Sequence, residues 1–185
     1  MIRETIVTTV DSAGAVHIAP LGLIAEGDAW ILAPFKPSKT LDNLREVPHA
    51  VASHVDDVRI FAGCLTGRRD WPVVATRGPV PRLAAALSHW ELDVESVVDD
   101  EQRPRFRMRC ARVAAHAPAS GYNRAEAAVI ELAILSSRLQ MLPRDKVRRE
   151  TEYLAIAVEK TAGPREREAW DWLMEKVRAF YGGDP

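Results

Sequence analysis

The sequence has few cysteines, no long apolar run and almost no net charge, and each shortage excludes a class of protein. Cys64 and Cys110 are the only cysteines among 185 residues, which excludes a disulfide framework and a cysteine-based metal site. The longest apolar stretch, residues 125–135, is interrupted by Glu126 and Glu131, so we expect neither a membrane span nor a membrane partner. Lys and Arg number 25 against 26 Asp and Glu, so no basic excess predicts a nucleic-acid partner.

The composition predicts a folded protein with a core of its own. Hydrophobic residues make up 47% of the chain and charged residues 28%, which is too apolar for a disordered segment. Residues 1–7 lead directly into a strand-like pattern without the apolar centre of a signal peptide. Together with the two free thiols, this leads us to expect a cytoplasmic location.

The pattern changes near residue 120, from short β-rich runs to long helical periodicities. Short antiparallel strands expose their edges unless the sheet closes on itself. We therefore predict an α+β fold, with a small antiparallel barrel followed by three C-terminal helices. The predicted strands are residues 3–10, 15–24, 29–33, 50–55, 58–65, 87–95 and 105–110, and the predicted helices are residues 124–141, 145–161 and 165–181.

Two of these strands carry alternating charges that predict how they pair. Acidic residues alternate with apolar ones on the predicted strand at residues 87–95, and arginines alternate with apolar ones on the predicted strand at residues 105–110. A register that opposes acids to arginines also stacks the apolar residues, whereas a slip by one residue would mix them. The arginines could form a nucleic-acid patch, but we favour a solvated face because acidic partners are at hand. The predicted pairs are Glu91 with Arg109, Asp93 with Arg107 and Glu95 with Arg105.

The segment around Pro37 and Ser38 has the features of a phosphate cradle. Ser38 is a good N-cap for a short helix that Pro48 would end. Its first turn would offer free backbone N–H groups, the hydroxyls of Ser38 and Thr40 and the ammonium of Lys39, and the helix dipole favours an anion there. The alternative is a capped connector helix without a ligand.

A second candidate region lies on the predicted strand at residues 17–22. Pro20 has no N–H to donate to a ladder, so the strand must be an edge, bulged or broken there. Gly22 would let a flat ligand approach the backbone closely. The alternative is a bulge that only bends the barrel.

Other familiar catalytic and binding motifs are absent from the sequence. The five histidines show no metal-ligand spacing, so we expect no metal site. The chain contains neither a nucleophile elbow, nor a P-loop, nor the glycine fingerprint of dinucleotide-binding folds.

In sequence order, these segments resemble an FMN-binding split-barrel family known as domain of unknown function 447. The family is related to flavin reductase-like and pyridoxamine-phosphate oxidase-like split barrels. The resemblance rests on the segments at residues 17–22 and 35–44, on the strand pair around Asp56, Asp57 and Phe61, and on residues 121–125, which open a long helix. It implies an antiparallel split β-barrel over residues 1–120 and a helical extension packed on it over residues 121–185.

The resemblance also implies FMN as cofactor, bound near the interface of a homodimer. By this carry-over Ser38, Lys39, Thr40 and Asn43 hold the phosphate end, and His17, Ala19, Pro20 and Leu21 border the isoalloxazine ring. Asn123 and Arg124 match the family's opening of the long helix and are expected to close the site. Leu41 departs from the pattern, since many relatives carry an aromatic residue there, and one stacking contact is therefore missing.

The implied function is that of an FMN-dependent oxidoreductase. Such a protein would pass hydride between a reduced nicotinamide or deazaflavin donor and a small acceptor, with a pterin-linked one-carbon compound as one class. Hydride chemistry belongs to the cofactor, which agrees with the lack of an acid–base constellation in the sequence. The alternatives are a non-catalytic flavin-binding or carrier module, and a scaffold protein without flavin.

Overall fold

The computed structural model describes residues 1–185 and divides them into two compact units. The barrel unit comprises residues 1–55 and 71–119, and the helical unit comprises residues 56–70 and 120–185. None of the helices is long and apolar enough to cross a membrane.

The barrel unit is a closed antiparallel barrel of six strands in the order β1-β2-β3-β8-β7-β4. The predicted hairpin is present, and a turn at residues 11–14 joins its two strands. A separate two-stranded sheet, β5 and β6, lies in the long connection before β7. The elements are β1 (Ile2–Val10), β2 (Val16–Glu26), β3 (Ala29–Leu32), α1 (Lys39–Glu46), β4 (His49–His54), β5 (Val73–Val74), β6 (Arg82–Leu83), β7 (Ser88–Val98) and β8 (Arg105–Ala115).

The interior of the barrel is apolar and includes one face of α1. Leu41 and Leu44 of this helix join side chains from all six strands, because a three-residue spacing places both on the same helical face. Removal of these apolar side chains from water is the main contribution to the stability of the barrel unit. The strand residues of this core are Val7, Leu23, Leu32, Ala50, Ala52, Leu92, Phe106 and Met108.

The predicted register of β7 and β8 is wrong, although acids still oppose arginines. Asp93 lies opposite Arg109 and Glu91 lies opposite Arg112, because β7 extends to Val98, which pairs with Arg105, so the turn lies further along the chain than the predicted pairs require. Two irregularities, at β7 residues 91–92 and 94–96, shift the pairing by one residue and back again. Charge matching alone locates neither the turn nor these bulges. Glu95 still forms an ion pair, with Arg107 at 3.3 Å.

Glu91 also departs from the predicted solvated face, since only 9% of its surface is exposed. The backbone N–H of Gly78 donates to its carboxylate at 3.2 Å, and Arg112 donates at 3.1 Å. The segment of the barrel unit around Gly78 therefore covers this part of the outer barrel surface.

The helical unit contains the three predicted helices and one that the sequence analysis missed. The sequence predicts a strand over residues 58–65, but Arg59–Leu65 form α2, which packs on α3 (Arg124–Ser136) and α5 (Pro164–Tyr181). A short continuous apolar run is compatible with a strand or with a buried helix, and packing decides between them. The first predicted helix is shorter than expected and continues as a 3₁₀ turn. The elements are α3 (Arg124–Ser136), the 3₁₀ helix (Leu139–Met141), α4 (Arg144–Thr161) and α5 (Pro164–Tyr181).

The ends of α5 follow the predicted signals. Pro164 occupies its first turn, and Gly182 ends it in the left-handed conformation with φ of 69°. Leu173 and Val177 are fully buried on its inner face, whereas Phe180, three residues further on, is half exposed.

Candidate functional site

The candidate site is built around the first turn of α1. Ser38 is the N-cap, and its hydroxyl oxygen accepts a hydrogen bond from the Leu41 N–H at 3.3 Å. The Asp42 N–H donates to the Ser38 carbonyl, so the N–H groups of Lys39 and Thr40 have no partner within the helix. These two groups and the helix dipole can receive an anion.

The ammonium of Lys39 is already paired in this structure. Its Nζ lies 3.1 Å from a carboxylate oxygen of Asp11, in the turn between β1 and β2. At the other end of α1, Glu46 accepts a hydrogen bond from the Ser12 N–H at 2.9 Å. Side chains at both ends of α1 thus bind the β1–β2 turn, a contact that the sequence does not predict.

Asn43 is the most buried polar residue of the site, with no exposed surface. Its side-chain nitrogen donates to Thr9 Oγ1 at 3.0 Å, whereas its side-chain oxygen has no hydrogen-bond partner. A buried acceptor without a donor is costly, so its presence indicates that a ligand or a water completes the arrangement. The hydroxyl groups of a polyol chain are donors of the kind that this oxygen lacks.

The register of β1 and β2 places the second candidate region beside Asn43. Thr9 lies opposite His17, and Val7, a core residue, lies opposite Ala19. Because directly opposed residues share a face of the sheet, His17, Ala19 and Leu21 line the same face as Thr9. The structure therefore places three of the residues predicted to border the ring on the face of the sheet that carries Thr9, the hydrogen-bond partner of Asn43.

Pro20 lies on an edge, which is one of the three predicted alternatives. The β1–β2 ladder continues past it without a register shift, and β3 pairs with β2 only over residues 24–26. On the side away from β1, the backbone of β2 before residue 24 is open. The Pro20 side chain points to the opposite face from Ala19, so only its backbone can approach a ligand at the inner face.

Asn123 and Arg124 belong to the helical unit, and their part in the site stays a prediction. Asn123 caps α3 by accepting from the Ala125 N–H at 2.8 Å, and its nitrogen donates to the Thr161 carbonyl at 3.3 Å. Both ends of this amide are therefore used to join α3 to the end of α4. Arg124 is exposed at the start of α3.

Thr9 and Asp11 are site residues that sequence reasoning missed. Asp11 carried a signal, because an acidic residue that opens a β-turn commonly accepts hydrogen bonds from the backbone two residues on. It does so here, from Ala13 at 3.1 Å and from Ala15 at 2.9 Å. Thr9 carried none, since only the fold brings it to Asn43.

The closed antiparallel barrel of six strands, with a helix inserted after the third strand, defines the class of antiparallel split β-barrels. The model of the N-terminal domain of the protein family of unknown function DUF447 matches residues 3–117, and a second model of the same family matches residues 123–175. The chain therefore belongs to the DUF447 family. The comparison with curated proteins finds no match.

Three solved structures illustrate what the fold is similar to. An FMN-bound DUF447 protein from Methanosarcina mazei superposes with a TM-score of 0.82 at 18% identity, covering 95% of this chain and 94% of that one. The 2-nitrobenzoate 2-nitroreductase of Pseudomonas fluorescens gives 0.52 at 22% identity, covering 61% and 64%. The styrene monooxygenase flavin reductase of Pseudomonas putida S12 gives 0.51 at 18% identity, covering 62% and 81%.

Proposed function

We propose that this protein binds FMN and acts as an oxidoreductase. It would pass hydride between a reduced nicotinamide or deazaflavin and a small acceptor, for which a pterin-linked one-carbon compound is one class. The main support is the Methanosarcina mazei protein of the same family, which is described as FMN-bound and matches nearly the whole chain. The nitroreductase and the flavin reductase of similar fold support the redox class.

The residues of the site fit the parts of FMN. The N–H groups of Lys39 and Thr40, the Ser38 hydroxyl and the Lys39 ammonium would hold the phosphate. The unpartnered oxygen of Asn43 would accept from a ribityl hydroxyl, and His17, Ala19 and Leu21 would border the ring. When bound, FMN supplies the hydride chemistry, and the protein positions it and excludes water.

We also propose that the protein works as a homodimer with FMN near the interface. The family resemblance supports this, as does the open edge of β2 before residue 24. An unpaired edge invites association unless a ligand or a second chain covers it. Light scattering of the FMN-loaded protein would test the dimer.

The first experiment is a visible absorption spectrum of the purified protein, with any chromophore released by heat and identified by mass. A yellow protein that releases FMN, or a colourless one that takes it up, supports the proposal. Failure to bind added FMN would overturn it and leave the scaffold alternative.

A second experiment separates an enzyme from a flavin carrier. Under anaerobic conditions, a reduced nicotinamide or a reduced deazaflavin should bleach the absorbance of the bound FMN. The same donors would leave the flavin of a carrier oxidised.

A further inference from the structure

The carboxylate of Asp11 reduces the positive charge of the phosphate cradle at the first turn of α1. Lys39 is the one cationic side chain on the first turn of α1, and its ammonium is paired with Asp11 at 3.1 Å. The Asp11 side chain is only 20% exposed, so the carboxylate lies against the protein and not in free solution. An anion that approaches Lys39 therefore also meets a negative charge.

The position of Asp11 is fixed by the turn and not by the lysine. One oxygen of its carboxylate accepts from the N–H groups of Ala13 and Ala15, and the other oxygen faces Lys39. The Glu46–Ser12 hydrogen bond holds the same turn on α1. Asp11 consequently stays beside Lys39 whichever way the ammonium turns.

The carboxylate is ionised at neutral pH. The Ala15 N–H and then the Lys39 ammonium hold the pKa of Asp11 below its usual value. A full negative charge thus stands next to the cradle under the conditions in which a phosphate monoester is close to a dianion.

We propose that Asp11 sets the affinity and the specificity of the site by offsetting the charge of Lys39. This inference rests on the proposed function, because it concerns how the flavin phosphate is bound. The phosphate then contributes little net electrostatic attraction, so the protein holds FMN only slightly more tightly than riboflavin and exchanges it with solution. Asp11 acts here as a specificity-determining residue, and the flavin behaves as an exchangeable ligand.

The test is titration of the flavin-free protein with FMN and with riboflavin, followed by flavin fluorescence. Asp11→Asn keeps the oxygen that accepts from Ala13 and Ala15 and removes only the charge. It should tighten FMN binding about three- to tenfold, as expected for the loss of one nearby surface charge, and leave riboflavin binding unchanged. Asp28→Asn is the matched control, since it removes one charge from the turn at the other end of β2.

Ionic strength gives an independent readout. The wild-type affinity for FMN should vary little with salt, whereas that of Asp11→Asn should fall as salt rises. If Asp11→Asn does not fold, Asp11→Ser is the second variant, because a serine hydroxyl can also accept from the turn.

The outcomes separate the inference from the function on which it rests. If the wild-type protein binds neither flavin, the proposed function fails. If it binds FMN but Asp11→Asn leaves that affinity unchanged, weakens it, or tightens both flavins equally, the role of Asp11 is overturned while FMN binding stands.

Discussion

The side-chain nitrogen of Asn43 donates a hydrogen bond to Thr9 Oγ1 at 3.0 Å, and this contact joins α1 to the first strand in the interior of the barrel unit. It also fixes the direction of the Asn43 oxygen, which has no partner. The nitrogen of this amide therefore has a role in the fold, and under the proposed function the oxygen accepts a hydrogen bond from the ligand.

These roles can be separated by mutation. Asn43→Ala should lower the free energy of unfolding by about 1–3 kcal/mol, because it removes a buried hydrogen bond, and should also weaken FMN binding. Thr9→Val removes the same hydrogen bond but leaves the Asn43 oxygen in place, so it should lower stability with a smaller effect on FMN. Chemical denaturation and flavin titration of both variants measure this. Equal losses of FMN affinity would contradict the assigned role of the oxygen.

The cradle itself predicts a selective loss of affinity for phosphorylated flavin. Lys39→Ala combined with Ser38→Ala removes two donors and leaves the Asp11 carboxylate without its counter-charge. FMN binding should weaken roughly ten- to a hundredfold, the range for loss of a hydrogen bond to a charged group, while riboflavin binding stays near the wild-type value. FMN should then bind more weakly than riboflavin, because the unpaired Asp11 carboxylate repels the phosphate.

Lys36→Ala is the control for that experiment. Lys36 is an ammonium of the same segment, but it pairs with Asp99 at 2.8 Å and with the Asp100 carbonyl. A loss as large as that of the cradle variant would show that overall charge, and not the first turn of α1, governs binding.

Three neighbouring polar side chains, two of them buried, predict how stability depends on pH. His89 is almost completely buried, and its Nδ1 lies 2.8 Å from Nε2 of His116, which is exposed; its other nitrogen lies 3.3 Å from Glu91. Desolvation lowers the pKa of His116, and the charges of Arg82 and Arg112 add to this effect.

A histidine with a lowered pKa binds fewer protons in the folded than in the unfolded state. The contribution of the neutral histidine to the free energy of unfolding should therefore be fully present above the unfolded pKa of about 6.5, and it should decrease as the pH falls below that value. His116→Gln should reduce this decrease between pH 7.5 and 5.5, measured by urea unfolding. It should not abolish it, because burial, followed by the charge of Arg3, also lowers the pKa of His54. An unchanged pH dependence in the variant would refute the assignment.

The ion pair at the start of α2 predicts a cost in stability for the helical unit. Arg59 donates to both oxygens of Asp57, at 2.9 and 2.7 Å, and also to Glu168 on α5 at 3.1 Å. Burial raises the pKa of Asp57, but the hydrogen bonds and charge of Arg59 outweigh it, so the net pKa is lowered. The stabilisation should be present above pH about 4 and be lost as the pH falls further.

Asp57→Ala should therefore lower the free energy of unfolding by about 1–3 kcal/mol at neutral pH, since it leaves the half-buried guanidinium of Arg59 with Glu168 as its one carboxylate partner. Asp56→Ala is the matched control, because the neighbouring carboxylate forms no ion pair in the structure, and it should change stability by less than about 0.5 kcal/mol. Similar losses in both variants would contradict the importance of the Asp57–Arg59 pair.

Short-range sequence patterns predict much of the fold and the central residues of the candidate site. Ser38 and Pro48 delimit α1 because a hydroxyl cap and a missing N–H act within one helical turn. Leu41 and Leu44 indicate its buried face by their spacing alone. The β1–β2 hairpin and the ends of α5 were predictable for the same reason, since turn chemistry depends on neighbours in sequence.

Long-range features were not predictable in this way. The run at residues 58–65 contains enough apolar residues for a strand, and only its packing on α3 and α5 makes it helical. The partners of β7 differ from the predicted ones by two positions at Asp93 and by three at Glu91, because the turn to β8 begins only after Val98 and the bulges change the register by one residue.

The sequence by itself thus determined the donors that can hold a phosphate, because Ser38, Lys39 and Thr40 are neighbours in one helical turn. Only the tertiary structure decided what surrounds them. The barrel register sets Thr9 beside Asn43 and leaves one amide oxygen unpartnered, and the β1–β2 turn brings the charge of Asp11 against Lys39. Both contacts join residues about thirty positions apart, which a chain pattern cannot specify because closure of the barrel fixes them.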